Sequence, residues 1–362
     1  MTTAITPFRV DIPQADLDDL ADRLDRARWP QEPAESGSHY GIPRSRVTAL
    51  AEYWRTDFDW RAVETALNAH PQFTTEIDGQ NIHFIHVRAA DPDALPLILT
   101  HGWPGSVIEF LDVIEPLSRD FQLVIPSIPG FGFSGPTSQP GWDVARVARA
   151  WAELMRRLGY ERYGAQGGDW GSAISRVLGD LEPERVVGVH LNYLTMPPPP
   201  GGPGELSGED TRRLDGVREY LANQPVQRTV HSIAPQLVGY GLNDSPIGLL
   251  AWLLDRFDAW ADPASKLSPD KILADVSLYW LTGTAASAPR IHRDSPPGPL
   301  PCPVPLGVAV FAREITLPIR SFAEAVYDIR HWREYDHGGH FAAMEVPELF
   351  TADVREFFGS IR

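Results

Sequence analysis

Residues 1–72 carry their apolar side chains at helical spacing. Leu17, Leu20, Ala21 and Leu24 share one face, with Asp16, Asp18 and Asp19 early in the run and Arg23, Arg26 and Arg28 late, the charge order that suits a helix dipole. Trp29-Pro30 stops that helix. A second run sets Val47, Leu50, Ala51 and Trp54 on one side, and a third spans roughly Trp60 to Asn68 before His70-Pro71. Each run is apolar on one side alone, so the segment predicts an amino-terminal helical meander lying against another layer.

The period then changes. Phe73 to Ile77 and Ile82 to Val87 read as short strands joined through Asp78-Gly79, a hairpin signal. Strand-like runs follow at Leu97 to Thr100, Gln122 to Ile125, Arg162 to Gln166 and Val186 to Asn192. Helices are predicted between them near Val107 to Leu117, along the stripe Val144, Val147, Ala148, Trp151, Leu154, Met155 and Leu158, and from about Ser172. Short apolar strands alternating with helices predict an α/β fold with a mostly parallel sheet covered on both faces. Pro197 to Gly204 and Ser295 to Pro305 are Pro/Gly-rich boundaries. The stretch between them is helical and aromatic, with Tyr220, Tyr240, Trp252, Phe257, Trp260, Tyr279 and Trp280. Strand character resumes at Val304 to Phe311, and Pro347 to Phe358 reads as a closing helix. The expected division is a meander over 1–72, a core over 73–196 and 301–362, and a helical lid over 197–300, inserted after the sixth strand. Such a lid would sit over the carboxyl ends of the strands, where open α/β sheets bind ligands.

Composition narrows the class. The chain has 362 residues, 43% of them hydrophobic, enough for a large buried core. Its 32 basic and 48 acidic side chains leave a net charge of −16, which argues against a sequence-independent grip on nucleic acid or an anionic membrane. Cys302 is the only cysteine, so no intrachain disulfide and no zinc-ribbon spacing exist. His83 and His86 fall on opposite sides of a strand and are assigned no metal. No apolar stretch of membrane-spanning length occurs, and the opening MTTAITPFRVDIPQ has no signal-peptide pattern. The expectation is a soluble cytoplasmic protein.

The chemistry concentrates in four places. Gly167-Gly168-Asp169-Trp170-Gly171, between a strand and a helix, has the form of the G-x-S-x-G elbow with Asp in place of Ser. Tight glycine turns there push the central side chain out beside a helix amino terminus, which favours an anion; the plainer alternative is an Asp that only caps the helix. His101-Gly102-Trp103-Pro104-Gly105 follows a strand, where a second oxyanion-hole amide belongs, so Trp103 and Trp170 are the expected amide donors. Glu314 lies just beyond the Val304 to Phe311 strand, and Gly338-Gly339-His340-Phe341 puts a histidine on a turn before the last helix. Nucleophile, acid and base in the order Asp169, Glu314, His340 match the α/β-hydrolase arrangement.

Taken with further motifs, the chain resembles the microsomal-type epoxide hydrolases, the group that includes juvenile-hormone-type enzymes, without a membrane anchor. The matching pieces are Phe8 to Pro30, Phe73 to Gly79, His101 to Ser106, Pro129 to Gly135, Gly167 to Gly171, Tyr240 to Pro246, Tyr279 to Gly283 and Gly338 to Phe341. The resemblance implies an α/β-hydrolase fold and no cofactor. It also implies a reaction in which Asp169 attacks an epoxide carbon to give an alkyl ester, hydrolysed by water that His340, held by Glu314, activates. The partner it implies is a small hydrophobic epoxide, with a homodimer admitted.

The resemblance also implies two lid tyrosines that donate to the ring oxygen, and Tyr279 matches one of them. At the place of the other stands Gln227, in a stretch that has lost most of the family's pattern; Tyr220 lies seven residues earlier. Gln227, Tyr220 and Trp280 are the expected substrate-binding residues. Three alternatives stand beside the hydrolase. An impaired or repurposed scaffold that binds a metabolite or guides ring closure would explain Gln227. A haloalkane dehalogenase also uses an elbow Asp followed by Trp, and an esterase is disfavoured by the missing Ser.

Overall fold

The computed structural model describes residues 4–361 other than Pro197, Pro200, Gly201, Lys266 and Pro299. The amino-terminal segment forms a short strand β1 (Thr6–Phe8) and helices α1 (Gln14–Asp25), α2 (Arg44–Thr56) and α3 (Trp60–Asn68). The expected stripe is the buried one, with Leu20 and Leu24 on α1 and Val47, Leu50, Ala51 and Trp54 on α2. Strands β2 (Gln72–Ile77) and β3 (Gln80–Val87) make the expected hairpin. Its turn residues Asp78 and Gly79 take φ of 52° and 75°, the left-handed pair that a two-residue hairpin of right-handed twist requires.

Six more strands complete the sheet: β4 (Leu95–Thr100), β5 (Phe121–Pro126), β6 (Tyr163–Gly167), β7 (Val186–Leu191), β8 (Leu306–Arg313) and β9 (Ile329–Gly339). Their order is β1-β2-β3-β5-β4-β6-β7-β8-β9. The first three pair antiparallel, β3 is antiparallel to β5, and every pairing beyond β5 is parallel. Helices α4 (Leu111–Leu117), α5 (Val144–Arg157) and α6 (Asp169–Leu181) connect the central strands. The Val107–Phe110 turn ahead of α4 is a tighter 3-10 helix, so the helix expected from Val107 is split in two.

Between β7 and β8 lies the helical insertion: α7 (Gly208–Ala222), α8 (Val226–Ile233), α9 (Pro235–Leu242), α10 (Pro246–Trp260), α11 (Pro269–Leu281) and α12 (Arg290–Asp294). It follows the sixth of the expected strands, which is the seventh in the chain because β1 adds one. Part of the expected Pro197 to Gly204 boundary lies outside the described residues. After β8 come α13 (Arg320–Glu324), then β9, α14 (Ala342–Glu345) and α15 (Pro347–Ser360). Phe350, Val354, Phe357 and Phe358 of α15 pack with α4 in one core cluster, and Val147, Trp151 and Leu154 of α5 pack with Ile174 and Leu178 of α6 in another. Helices α2 and α1 reach the insertion directly. Arg46 grips Asp258 at 2.9 and 2.7 Å, the Trp54 indole donates to Ser277 at 2.9 Å, and the Tyr53 hydroxyl donates to Asp270 at 2.9 Å. Among the described residues no helix is long and apolar enough to cross a membrane.

A buried polar knot fastens α15 to β7 and β9. Asp353 Oδ1 lies 2.8 Å from His190 Nε2 and 3.0 Å from His331 Nε2, while Oδ2 accepts from the Tyr335 hydroxyl at 2.6 Å. Burial pushes the Asp353 carboxyl up, but these partners outweigh it and hold it well below the carboxylate range. The same hydrogen bond raises the His331 imidazole above its ordinary value. Asp353 therefore stabilises the fold above its unfolded pKa, near 3.9, and loses that effect as pH falls through its folded value. The His331 contribution is complete below the unfolded value, near 6.5, and is lost as pH rises through the raised one. Asp353→Ala should cost about 3 kcal/mol at pH 6, read from the urea midpoint, because it strands the buried His190 and the half-buried Tyr335 hydroxyl. A variant as stable as the parent would show that the knot contributes nothing.

Candidate active site

The elbow is built by steric exclusion. Strand β6 ends at Gly167, α6 starts at Asp169, and Asp169 itself holds φ 45°, a left-handed conformation unusual for a residue with a side chain. A Cβ at Gly171 would lie 1.9 Å from the Thr100 carbonyl on β4, and one at Gly167 would lie 2.2 Å from the Gly171 carbonyl, so neither position admits a side chain. The helix begins three residues earlier than the expected Ser172. Its N-cap is Gly168, with no side-chain cap, so Asp169 is not the simple helix cap that was the plainer alternative.

What Asp169 does bond is a set of groups from distant parts of the chain. Its Oδ1 accepts the Trp103 amide at 2.8 Å, and the Trp170 amide also favours its charged form. Its Oδ2 lies 3.6 Å from His340 Nε2, an ion-pair distance rather than a hydrogen bond. On the far side of the ring, His340 Nδ1 is 2.6 Å from Glu314 Oε1. Glu314 sits just beyond β8 and also accepts the Ile315 amide, at 2.6 Å. Asp169, Glu314, His340, Trp103 and Trp170 thus meet at one place, although they come from four separate segments.

The electrostatics follow from that meeting. Burial pushes the Asp169 carboxyl up, but His340 and the amides of Trp103 and Trp170 outweigh it and bring it below its ordinary value. Burial likewise pulls the His340 imidazole down, and Glu314 and Asp169 together lift it well above the usual histidine range. Two further carboxyls lie nearby, both shifted toward the neutral form. Burial and the neighbouring Asp275 push Glu109 well above the carboxylate range, and burial takes Asp275 up to about 7 against the hydrogen bond from Ser106. Glu109, Gly168, Asp169, Asn192 and His340 help to line a cavity of about 10 Å³, room for about one water.

The expected lid residues fare differently. Tyr279 is buried within range of the Asp169 charge, and its hydroxyl donates to the Gly105 carbonyl at 2.8 Å rather than to the carboxylate. It braces the loop that carries the Trp103 amide instead. Trp280 turns toward the meander, its ring 5.6 Å from the Arg23 guanidinium. Gln227 is buried with its amide nitrogen 2.8 Å from Asp255, and Tyr220 is half-buried on α7.

Four side chains not foreseen do approach. Glu109 is one. Tyr193, just past β7, sets its ring edge-on to His340 at 5.5 Å. His231 and His292 pack against Trp103 and Trp170 with ring separations of 4.7 and 4.8 Å. Only His231 left a trace in the sequence, four residues after Gln227 on one helical face. Among the described residues no group of three or more His, Cys, Asp or Glu side chains is arranged to hold a metal ion.

This arrangement has relatives. Residues 5–110 match the family described as epoxide hydrolase N terminus, and residues 96–283 match the alpha/beta hydrolase fold. A putative epoxide hydrolase of Stigmatella aurantiaca is 44% identical, covering 99% of this chain and 86% of that one. The Aspergillus niger epoxide hydrolase structure superposes with a TM-score of 0.92 at 33% identity, covering 99% of this chain and 97% of that one. Juvenile hormone epoxide hydrolase from Bombyx mori also reaches a TM-score of 0.92, at 30% identity, covering 100% of this chain and 95% of that one.

A Cβ at Gly102 would lie 2.2 Å from Asp169 Oδ1, so the carboxylate keeps its amide bond only while that position is bare. Gly102→Ala should lower kcat/KM for an epoxide by ~10²-fold while the circular dichroism spectrum stays that of the parent. Unchanged turnover would show that the carboxylate's placement does not matter.

Proposed function

The chain belongs to the epoxide hydrolases of the α/β-hydrolase superfamily, and on that footing we propose that it forms vicinal diols through an alkyl ester on Asp169. The observation that carries this reading is the division of labour on one carboxylate. Oδ1 is engaged by the Trp103 amide, and Oδ2 is left facing His340, whose other nitrogen is on Glu314.

In the first step Oδ2 attacks a ring carbon, the ring C–O bond breaks, and its electron pair stays on the ring oxygen. The carbonyl oxygen of the resulting ester is then Oδ1, already at the Trp103 amide with Trp170 beside it. There the negative charge of a tetrahedral intermediate is stabilised; removing one such donor typically costs about 3 kcal/mol. Esterification also cancels the Asp169 charge, one of the two that hold the His340 proton. With only Glu314 left opposite it the imidazolium is a stronger acid, and its proton passes, through water, to the ring oxygen, which becomes the first hydroxyl of the diol. The imidazole is then neutral, Glu314 keeps it oriented, and it can take a proton from a water in the small cavity as that water attacks the ester. Cleavage on the carbonyl side returns Asp169 and releases the diol.

The walls suit a hydrophobic substrate. The Trp260 ring stands 5.1 Å from His340 and 6.2 Å from Trp103, so the space above the carboxylate is aromatic. The homodimer is part of the same proposal. Ile233, Leu237 and Tyr240 of α8 and α9 stand 68%, 73% and 73% exposed, an apolar lid face that a second copy would cover.

His340→Gln should still form the ester and fail to cleave it, so intact-mass spectra should gain the mass of one substrate. Asp169→Asn should do neither, since an amide is a poor nucleophile. One turnover of the parent in heavy-oxygen water should leave the label in Asp169; label found in the diol alone refutes the ester. The ester-cleaving step, followed by rapid mixing, should quicken with rising pH and then level off, because only neutral His340 is a base.

A further inference from the structure

Opening an epoxide leaves an alkoxide, and the groups expected to bond it have their donors engaged elsewhere. The Tyr279 hydroxyl is on the Gly105 carbonyl at 2.8 Å, and the Gln227 amide nitrogen is on Asp255 at 2.8 Å. What the insertion does bring to the carboxylate's two tryptophans is a pair of imidazoles. His231 of α8 meets the Trp103 ring edge-on at 89°, His292 of α12 meets the Trp170 ring at 79°, and the two imidazoles lie 4.9 Å apart. His292 is close enough to Asp169 for that charge to act on it.

The His231 proton can be placed. An indole N–H only donates, and that of Trp252 lies 3.0 Å from His231 Nε2. Nε2 therefore holds a lone pair, and a neutral His231 carries its proton on Nδ1. That Nδ1–H is buried with no acceptor, and His292 Nδ1 is likewise buried with no partner in good geometry, the Pro289 carbonyl one turn back being the backbone group that acts on the ring. Buried polar atoms left unpaired are rare, and two on adjacent rings beside a reactive carboxylate mark a place where a ligand atom belongs. Burial keeps both rings neutral at ordinary pH, drawing His292 down to about 4 against the pull of Asp169, and His231 to about 2 with His292 adding to the effect.

We propose that His231 and His292 are the hydrogen-bond donors to the epoxide's ring oxygen, their imidazole N–H groups standing where phenols were expected. This rests on Asp169 as the nucleophile. As the Asp169 Oδ2–carbon bond forms and the ring C–O bond breaks, the ring oxygen receives the electron pair and both N–H bonds. It then takes a proton from water, and the hydroxide formed is neutralised by the His340 imidazolium, which esterification has just destabilised. Neither His231 nor His292 loses its N–H, and His340 ends neutral, ready for the second step.

The test is the rate of ester formation from styrene oxide, followed by quenched-flow mass spectrometry in the His340→Gln background, where the ester accumulates. His292→Phe and His231→Phe should each slow ester formation by ~10²-fold, the size of losing a donor to a developing oxyanion. His292→Tyr, which restores an O–H donor, should recover most of the rate. In the parent background the same Phe variants should slow ester formation far more than ester cleavage, a split that a merely structural role would not produce. His292 lies on a short helix with its Nδ1 unbonded, so His292→Phe carries the test even if His231→Phe, which strands the Trp252 indole, does not fold. Ester formation within about threefold of the parent rate in folded His292→Phe would overturn the proposal, as would Tyr193→Phe alone abolishing it. If the His340→Gln parent gives no ester at all, the nucleophile reading fails first and takes this one with it.

Discussion

One buried negative charge, that of Asp169, governs how the rest of the site is built. Removing a carboxylate from water is costly unless hydrogen bonds and an opposite charge replace the water. Two main-chain amides, an imidazole and, behind the imidazole, Glu314 supply that replacement. Each has a steric condition attached: Gly102 and Gly171 must be bare, and Asp169 must accept a left-handed φ. Neighbouring Glu109 and Asp275, pushed up by burial, lessen the like charge beside it. With His340 protonated, Asp169, Glu314 and His340 sum to −1. On the proposed course they sum to −1 again once the ester has formed and the imidazole has given up its proton, so chemistry proceeds without stranding a new charge in a dry pocket.

Much of the core was legible because its strands are apolar and its helices periodic. The hairpin turn at Asp78-Gly79, the stripe of α5 and the elbow all follow from local chemistry that leaves few alternatives. The strands that escaped were of another kind. Strand β9 runs through Arg330, His331, Arg333, Glu334 and Asp336, a polar edge whose pairing partner is set by tertiary structure and not by its own pattern. Strand β1 is three residues long and takes its form from β2.

The site divides the same way. Asp169, Glu314 and His340 were legible because each sits at the end of a strand or on a glycine turn, where the backbone alone aims the side chain. Lid residues sit on helices whose rotation about their axes no local motif specifies. Tyr279 and Trp280 are adjacent on α11 and point to different tasks, one bracing the Gly105 loop and the other stacking under Arg23. His292, on a helix of five residues after a Pro, had no periodic face from which its direction could be read.

The fastening of α2 to the insertion bears on how a substrate gets in. Arg46 on Asp258, Trp54 on Ser277 and Tyr53 on Asp270 tie α10 and α11 to a segment that is itself paired into the sheet through β1. A cap swinging away as a rigid body would have to rupture all three ties together. The insertion is held at α7 as well, where Arg213 grips Glu334 of β9 at 2.9 and 2.6 Å, so passage is left to α8 and α9 between the two fastenings. Fastened at both margins, the roof can yield only between them, and the girth of that opening, rather than the chemistry beneath, is the first sieve a molecule meets.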